Sequence, residues 1–286
     1  MQRSLPLLAA SITVLCGTAI IVAQQQPQKI NYRSTVYVKV VPEKETAMMD
    51  FTRNVSKKLM QERINSGEPI TSWVVLRLAY QGTPALDYTY AVTTTYAGAP
   101  SQPNDATRDE IYRRATGMSF QDYLAKLPTL GTSVGSILYR VEAATPSSPM
   151  QEGNYITVTR WKVTPLRGGD YASYVRDMLL PLNAQAVKDG RSMGWSAARV
   201  VSPGGDEAPF DAVISNTVRD LATALPATAP SPNAGQVNFA KVFPGQNYAT
   251  FVDQGRALRG LVRTELFRVV AAAEGPATTS SLSGGR

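Results

Sequence analysis

Apolar and polar residues alternate along the chain in two rhythms, and the same succession of rhythms occurs twice. Strand-like runs rich in β-branched and aromatic residues occupy Thr35 to Val41 and Tyr155 to Val163. A helical stripe follows each. In the first half it comprises Met48, Phe51, Val55, Leu59 and Met60; in the second, Tyr171, Tyr174, Val175, Met178, Leu179, Leu182 and Val187. Gly67 and Pro69 are expected to stop the first helix, and Gly190 the second, which Pro181 should kink. Two strands come next in each half, Trp73 to Tyr80 with Asp87 to Thr95, and Trp195 to Val201 with Phe210 to Ser215. A variable segment follows, with a helix expected from Asp105 to Ala115 in one half. In the other, a helix over 217–224 leads into a Pro- and Ala-rich stretch, 225–236. An amphipathic helix near 119–127 and near 247–259, then a strand at 136–143 and at 264–271, complete each unit.

Sliding the sequence against itself supports an internal duplication. At an offset of 122, Trp73 faces Trp195 and Arg77 faces Arg199; at 123, Lys39 faces Lys162; at 128, Arg140 faces Arg268 and Phe120 faces Tyr248. Loop insertions account for the small drift. Each half therefore reads β-α-β-β-α-β, the ferredoxin-like unit, whose four-stranded sheet leaves one face open. Two such repeats, 35–144 and 155–272, packed sheet to sheet, would bury both faces in an eight-stranded α+β barrel with helices outside. Residues 275–286 read as a disordered tail.

Gly169-Asp-Tyr171, followed by Pro181, Gly190 and Trp195, resembles the first helix of NIPSNAP-like and antibiotic-biosynthesis-monooxygenase-like proteins. With the element order, the chain resembles the dimeric α+β barrel superfamily as a fused pseudo-dimer. That resemblance implies a range of functions, from small oxygenases, isomerases and haem-handling proteins to proteins of no known activity.

Composition narrows the chemistry. The 286 residues include no histidine, and the one cysteine is Cys16. This removes Ser-His-Asp triads, Cys-His dyads, His-ligated zinc and proximal-His haem. Residues 1–23 have the charged start, apolar run and small terminal residue of a signal peptide, with an uncleaved N-terminal anchor as the competing reading, so a secreted or periplasmic protein is expected, with no membrane span if the segment is cleaved. Cys16 follows Leu15, not the Gly or Ala of a lipobox, and would leave with the signal. The net charge of +7 is spread without a basic block, so no nucleic-acid partner is expected.

Local motifs point to structure rather than catalysis. Gly131-Thr-Ser133-Val-Gly135 matches the hydrolase elbow, but the helix precedes it, a strand follows and no histidine exists. Asn54-Val-Ser56, a glycosylation pattern, falls inside a helix. Asp105, Asp109 and Glu110 fit a helix start, with Asp105 as N-cap. Gly255 to Gly260 lacks a phosphate-loop lysine. Neither a metal nor a cofactor is expected. Trp73, Trp161 and Trp195 read as core.

The recurring strand cations carry the functional expectation: Lys39, Arg77, Arg140, Lys162, Arg199 and Arg268, with Tyr88 and Tyr90, would line the barrel and hold a small anionic or aromatic ligand. The reading this favours is a secreted, non-catalytic small-molecule binder. The alternatives are a cofactor-independent monooxygenase- or isomerase-like enzyme, with Asp211 or Glu142 as base, and an envelope interaction module.

Overall fold

The computed structural model describes residues 30–81, 87–100, 104–204, 208–225 and 234–275. The expectations for the signal segment 1–23 and the tail beyond Gly275 lie outside the described residues. Eight strands form a closed antiparallel barrel: β1 (Tyr32–Lys39), β2 (Ile70–Gln81), β3 (Tyr90–Tyr96), β4 (Thr132–Ala144), β5 (Tyr155–Val163), β6 (Gly194–Ser202), β7 (Ala212–Val218) and β8 (Arg259–Glu274). Their order around the ring is β1-β3-β2-β8-β5-β7-β6-β4. It resolves into two ferredoxin-like sheets, β4-β1-β3-β2 and β8-β5-β7-β6, joined along β2–β8 and β4–β6. Closure satisfies the backbone groups that either sheet alone would leave at its edges.

Helices cover the outside. In the first half α1 (Glu45–Phe51) runs through a π-helical turn, Thr52–Ser56, into α2 (Lys57–Asn65); α3 (Asp105–Thr116) and α4 (Phe120–Leu130) follow. In the second, α5 (Gly168–Tyr174) passes through Val175–Leu179 into α6 (Leu180–Lys188), followed by α7 (Leu221–Ala224), α8 (Ala234–Val242) and α9 (Tyr248–Leu258). The π-turn sits at matching places in both halves, 123 residues apart. Pro181, expected to kink the second helix, sits just past the π-helical turn, and the helix continues through it to Lys188. Gly67 and Gly190 end the two long helices at φ +83° and +72°, a conformation that strains residues with a Cβ. The N-cap of α3 is Asn104, whose side chain accepts from the Thr107 N–H; Asp105, expected as the cap, is the first helical residue and pairs with Arg108. The stretch read as irregular, 225–236, gives way to α8 at Ala234.

Two apolar layers lie between helices and sheet, one around Phe51, Met60, Trp73 and Tyr90, the other around Tyr171, Tyr174, Trp195 and Leu258. All three tryptophans pack in or against these layers. The barrel interior is filled by Tyr37, Val74, Leu76, Tyr88, Ile156, Phe267 and Val269 on one side and Tyr139, Ala198, Phe210 and Val213 on the other.

A buried charge cluster stands at the centre of this filling. Arg160 and Glu265 are 1% and 0% exposed. Arg160 donates to Glu265 Oε2 from Nε at 3.0 Å and from Nη2 at 2.8 Å. Its Nη2 also donates to Tyr37 and Tyr88, each at 3.0 Å, and Nη1 to Tyr139 at 3.4 Å. Tyr88 donates to Glu265 Oε1 at 2.5 Å, and Arg263 pairs with the same oxygen at 2.8 Å. The guanidinium lies 4.5 Å from the Phe210 ring centroid. Burial alone would lower the proton affinity of Arg160; the phenols of Tyr37 and Tyr139 and the Glu265 carboxylate outweigh it and hold the charge. Burial also pushes the Tyr88 and Tyr139 hydroxyls up, so they stay protonated as donors.

Breaking such a pair leaves a dry charge. Arg160→Met is expected to cost about 3–5 kcal/mol in urea unfolding, and the double variant with Glu265→Gln to recover part of that loss. A single-variant cost under about 1 kcal/mol would contradict the account.

Candidate functional site

The strand cations do not form one basic lining inside the barrel. Across the β2–β8 seam Arg77 stands opposite Arg268, and across the β4–β6 seam Arg140 stands opposite Arg199. Both pairs lie on the outer, helix-covered face. Arg77 donates to both carboxylate oxygens of Glu45 on α1, at 2.9 Å each. Arg140 pairs with Glu142 at 2.6 Å, Arg199 donates to the Gly168 carbonyl at 3.3 Å, and Arg268 is exposed. Lys39 sits at the end of β1, 3.8 Å from Asp87, and Lys162 pairs with Asp211 at 3.3 Å. Tyr90 packs in the first helix-side layer. Of the eight residues, Tyr88 is the one whose side chain joins the interior cluster.

The expected bases are also committed. Asp211 accepts from Lys162 and from the Val163 N–H, and Glu142 from Arg140. The other motifs resolve as structure. Ser133 is exposed on β4, Asn54 lies in the π-turn, and Asp109 ties α3 to α4 by accepting from Arg113 and from the Phe120 N–H. Among the described residues, no group of three or more Asp, Glu or Cys side chains could hold a metal. No helix there is long and apolar enough to cross a membrane.

A cavity lies elsewhere, between the helices of the second half and the end of its sheet. Its volume is about 330 Å³, and it is lined by α6, α8, α9, β7 and the turn before β6. Tyr248 and Phe251 make one wall, backed by Phe239, whose ring centroid is 5.0 Å from that of Phe251 and 5.5 Å from that of Tyr248. Leu182 and Ala186 add aliphatic surface. Facing them are Asn183, Arg191, Ser192, Asn216 and Asn238. Arg191 Nη2 donates to Asn238 Oδ1 at 2.6 Å and to Asp189 at 3.2 Å, which fixes its guanidinium at the rim. The buried Ser192 hydroxyl donates to Asn216 Oδ1 at 2.6 Å, so the Asn216 amide presents its N–H donors. Gly235 lets α8 approach: a Cβ there would stand 2.6 Å from the Tyr248 hydroxyl. Among the described residues the lining contains no carboxylate, and neither imidazole nor thiolate, so it does not fit a haem held by either of the last two.

The first half fills the equivalent space. By the repeat offsets Asn183 corresponds to Met60 and Ala186 to Arg63, and Met60 is 5% exposed. Arg63 closes on Glu68 through two hydrogen bonds of 2.9 and 2.7 Å. Leu59, Ile111 and Tyr112 seal α3 against α2. Sequence reasoning missed Asn183, Arg191, Asn216 and Asn238, because it weighed positions where the halves agree. Polar residues on the inner face of α6 were the available signal.

No family model matches this sequence, and no curated protein does. Solved structures do. A candidate monooxygenase from Fusobacterium nucleatum subsp. nucleatum aligns at TM-score 0.53 with 9% identity, over 87% of this chain and 96% of that one. Another, from Lactobacillus acidophilus, aligns at TM-score 0.52 with 7% identity, over 87% and 98%. At such identities the likeness establishes the fold, that of the dimeric α+β barrel proteins. The expectation of a non-catalytic binding protein is corrected by these neighbours, both of them candidate monooxygenases.

One carboxylate, at the same end of the barrel as the cavity, differs from the paired ones. Glu274 closes β8 and accepts from the Met150 N–H at 2.7 Å; burial raises its proton affinity above the usual range, against that hydrogen bond. A carboxylate raised on folding binds more protons folded than unfolded, so stability is lost as pH rises from the ordinary carboxylate range through its folded value. Glu274→Gln is expected to flatten the dependence of melting temperature on pH between about 4 and 7 and to raise it at neutral pH. An unchanged slope would contradict the assignment.

Proposed function

We propose that this chain is an enzyme of the cofactor-independent monooxygenase type, acting on a small flat substrate in the second-half cavity. The observation that carries the reading is the cavity's two-sidedness: an aromatic wall faces amide and guanidinium donors, where the first half is packed closed. A flat ring system suits the Tyr248 and Phe251 wall. The opposing donors suit an oxygen that gains negative charge.

The absence of a carboxylate from the lining selects the chemistry. Isomerisation by proton shuttling needs a base that takes a proton and returns it. Oxygenation of an acidic substrate needs stabilisation of the anion more than a strong base. A methylene or phenol that ionises to an enolate or phenolate can itself give electrons to dioxygen. For a methylene the balance is CH2 plus O2 to C=O plus H2O. Arg191 and the Asn216 amide would hold the anionic oxygen, and Tyr248 would lie along the ring. The proposal carries with it that the halves arose by tandem duplication, as the repeat offsets suggest, and that residues 1–23 direct export.

The test is dioxygen uptake with a panel of enolisable aromatic ketones and polycyclic phenols. Uptake with at least one is expected, falling about 100-fold in Asn216→Leu and in Arg191→Leu with the fold retained by circular dichroism. No uptake and no binding across the panel, or uptake indifferent to both substitutions, would overturn the reading.

A further inference from the structure

The second-half cavity offers an acceptor as well as donors, and the two stand on different elements. One end of an asparagine amide donates and the other accepts, so a fixed partner at one end decides which end faces outward. Asn216 gives its oxygen to the Ser192 hydroxyl and leaves its N–H donors to the cavity from β7. Asn183, on α6, is held the other way round. Its Nδ2 donates to the Leu179 carbonyl, one turn back, at 2.7 Å. A carbonyl only accepts, so the nitrogen must be the end that meets it. The Asn183 Oδ1 receives no hydrogen bond among the described residues and is not shut off from solvent. Asn183 lines the cavity, and this oxygen is the end of its amide left to a bound molecule. The third asparagine of the lining, Asn238, has both ends in use: Oδ1 accepts from Arg191 and Nδ2 donates to the Leu182 carbonyl at 3.3 Å.

Helix stability does not call for an amide at this position. Asparagine is a poor interior helix residue because its side chain competes for backbone groups, as Asn183 does at Leu179. The first half carries the apolar Met60 at the equivalent place. The amide gives the cavity a polarity that methionine would not. Resting on the reading that this cavity takes a flat substrate with one ionising oxygen, we propose that Asn183 is a specificity-determining residue, whose Oδ1 accepts from a hydroxyl or N–H that the substrate carries apart from that oxygen. The same carbonyl dipole repels an anion. A substrate with one donor group and one anionic oxygen is therefore seated one way, the donor toward α6 and the anion toward Asn216 and Arg191. A ring that lacks the donor strips water from the Asn183 Oδ1 without replacing it, which costs affinity. Asn183 transfers no proton; it positions and selects.

The test is equilibrium binding to the whole protein by titration calorimetry, without dioxygen so that no turnover intervenes. The ligands are matched pairs: dihydroxynaphthalenes with their hydroxyls on different rings, and the naphthols that lack the second hydroxyl. Wild type is expected to bind at least one diol about tenfold more tightly than its naphthol. Asn183→Leu is expected to erase that preference and bind the pair alike, whereas a merely structural role would weaken both ligands and keep their ratio. Should leucine disturb α6, Asn183→Ala serves instead, with the same result expected. A preference that survives the substitution, or a wild type that binds no diol better than its naphthol, would overturn the proposal and leave water as the partner of Asn183. Absence of binding by every ligand would overturn it together with the cavity reading. The expected preference without any dioxygen uptake would support the proposal and overturn oxygenation alone, so the two failures are distinguishable.

Discussion

The pairing of Arg160 with Glu265 is the constraint around which the barrel is organised. Two sheets closing on each other must fill a shared interior, and apolar side chains alone would do so in many registers. A charge pair that reaches five hydroxyl and carboxylate oxygens from β1, β4, β8 and the segment before β3 admits one arrangement. The net stabilisation from such a pair is small, because desolvation offsets most of the attraction. Its value lies in the penalty on every alternative register that would leave one partner bare.

The same cluster shows how two similar halves become unlike. By the repeat offsets Arg160 stands where the first half has Tyr37, and Glu265 where it has Ile137. A symmetric barrel would place Tyr against Tyr or Arg against Arg at the centre; the divergence makes the contact complementary. The helix layer diverges in the same sense. Met60, Arg63 and the packing of α3 close one half, and Asn183, Ala186 and α8 leave the other open. Among the described residues, the first half packs its helix layer closed and the second half borders the cavity.

Much of the fold was legible in the chain. Strand and helix periods placed the eight strands and the long helices to within a few residues, and the duplication implied two sheets needing each other's faces. The site was far less legible, for a physical reason. Period-two alternation tells which residues share a face, but not which face is inside when both are buried, one by the barrel and one by helices. Arg77, Arg140 and Arg199 recur on the helix side of the strands, where Glu45, Glu142 and the Gly168 carbonyl accept from them. The interior charges sit at Arg160 and Glu265, where the repeats disagree, and α8, which walls the cavity, follows a Pro- and Ala-rich run that reads as irregular.

The central claim is that the second half works because its space is open where the first half's is filled. Asn183→Met transplants the first half's filling into the second without touching the barrel. The account predicts that oxygen uptake, or binding of a responsive phenol, falls at least about 100-fold while the melting temperature holds or rises. Activity unchanged in a stably folded Asn183→Met protein would contradict it.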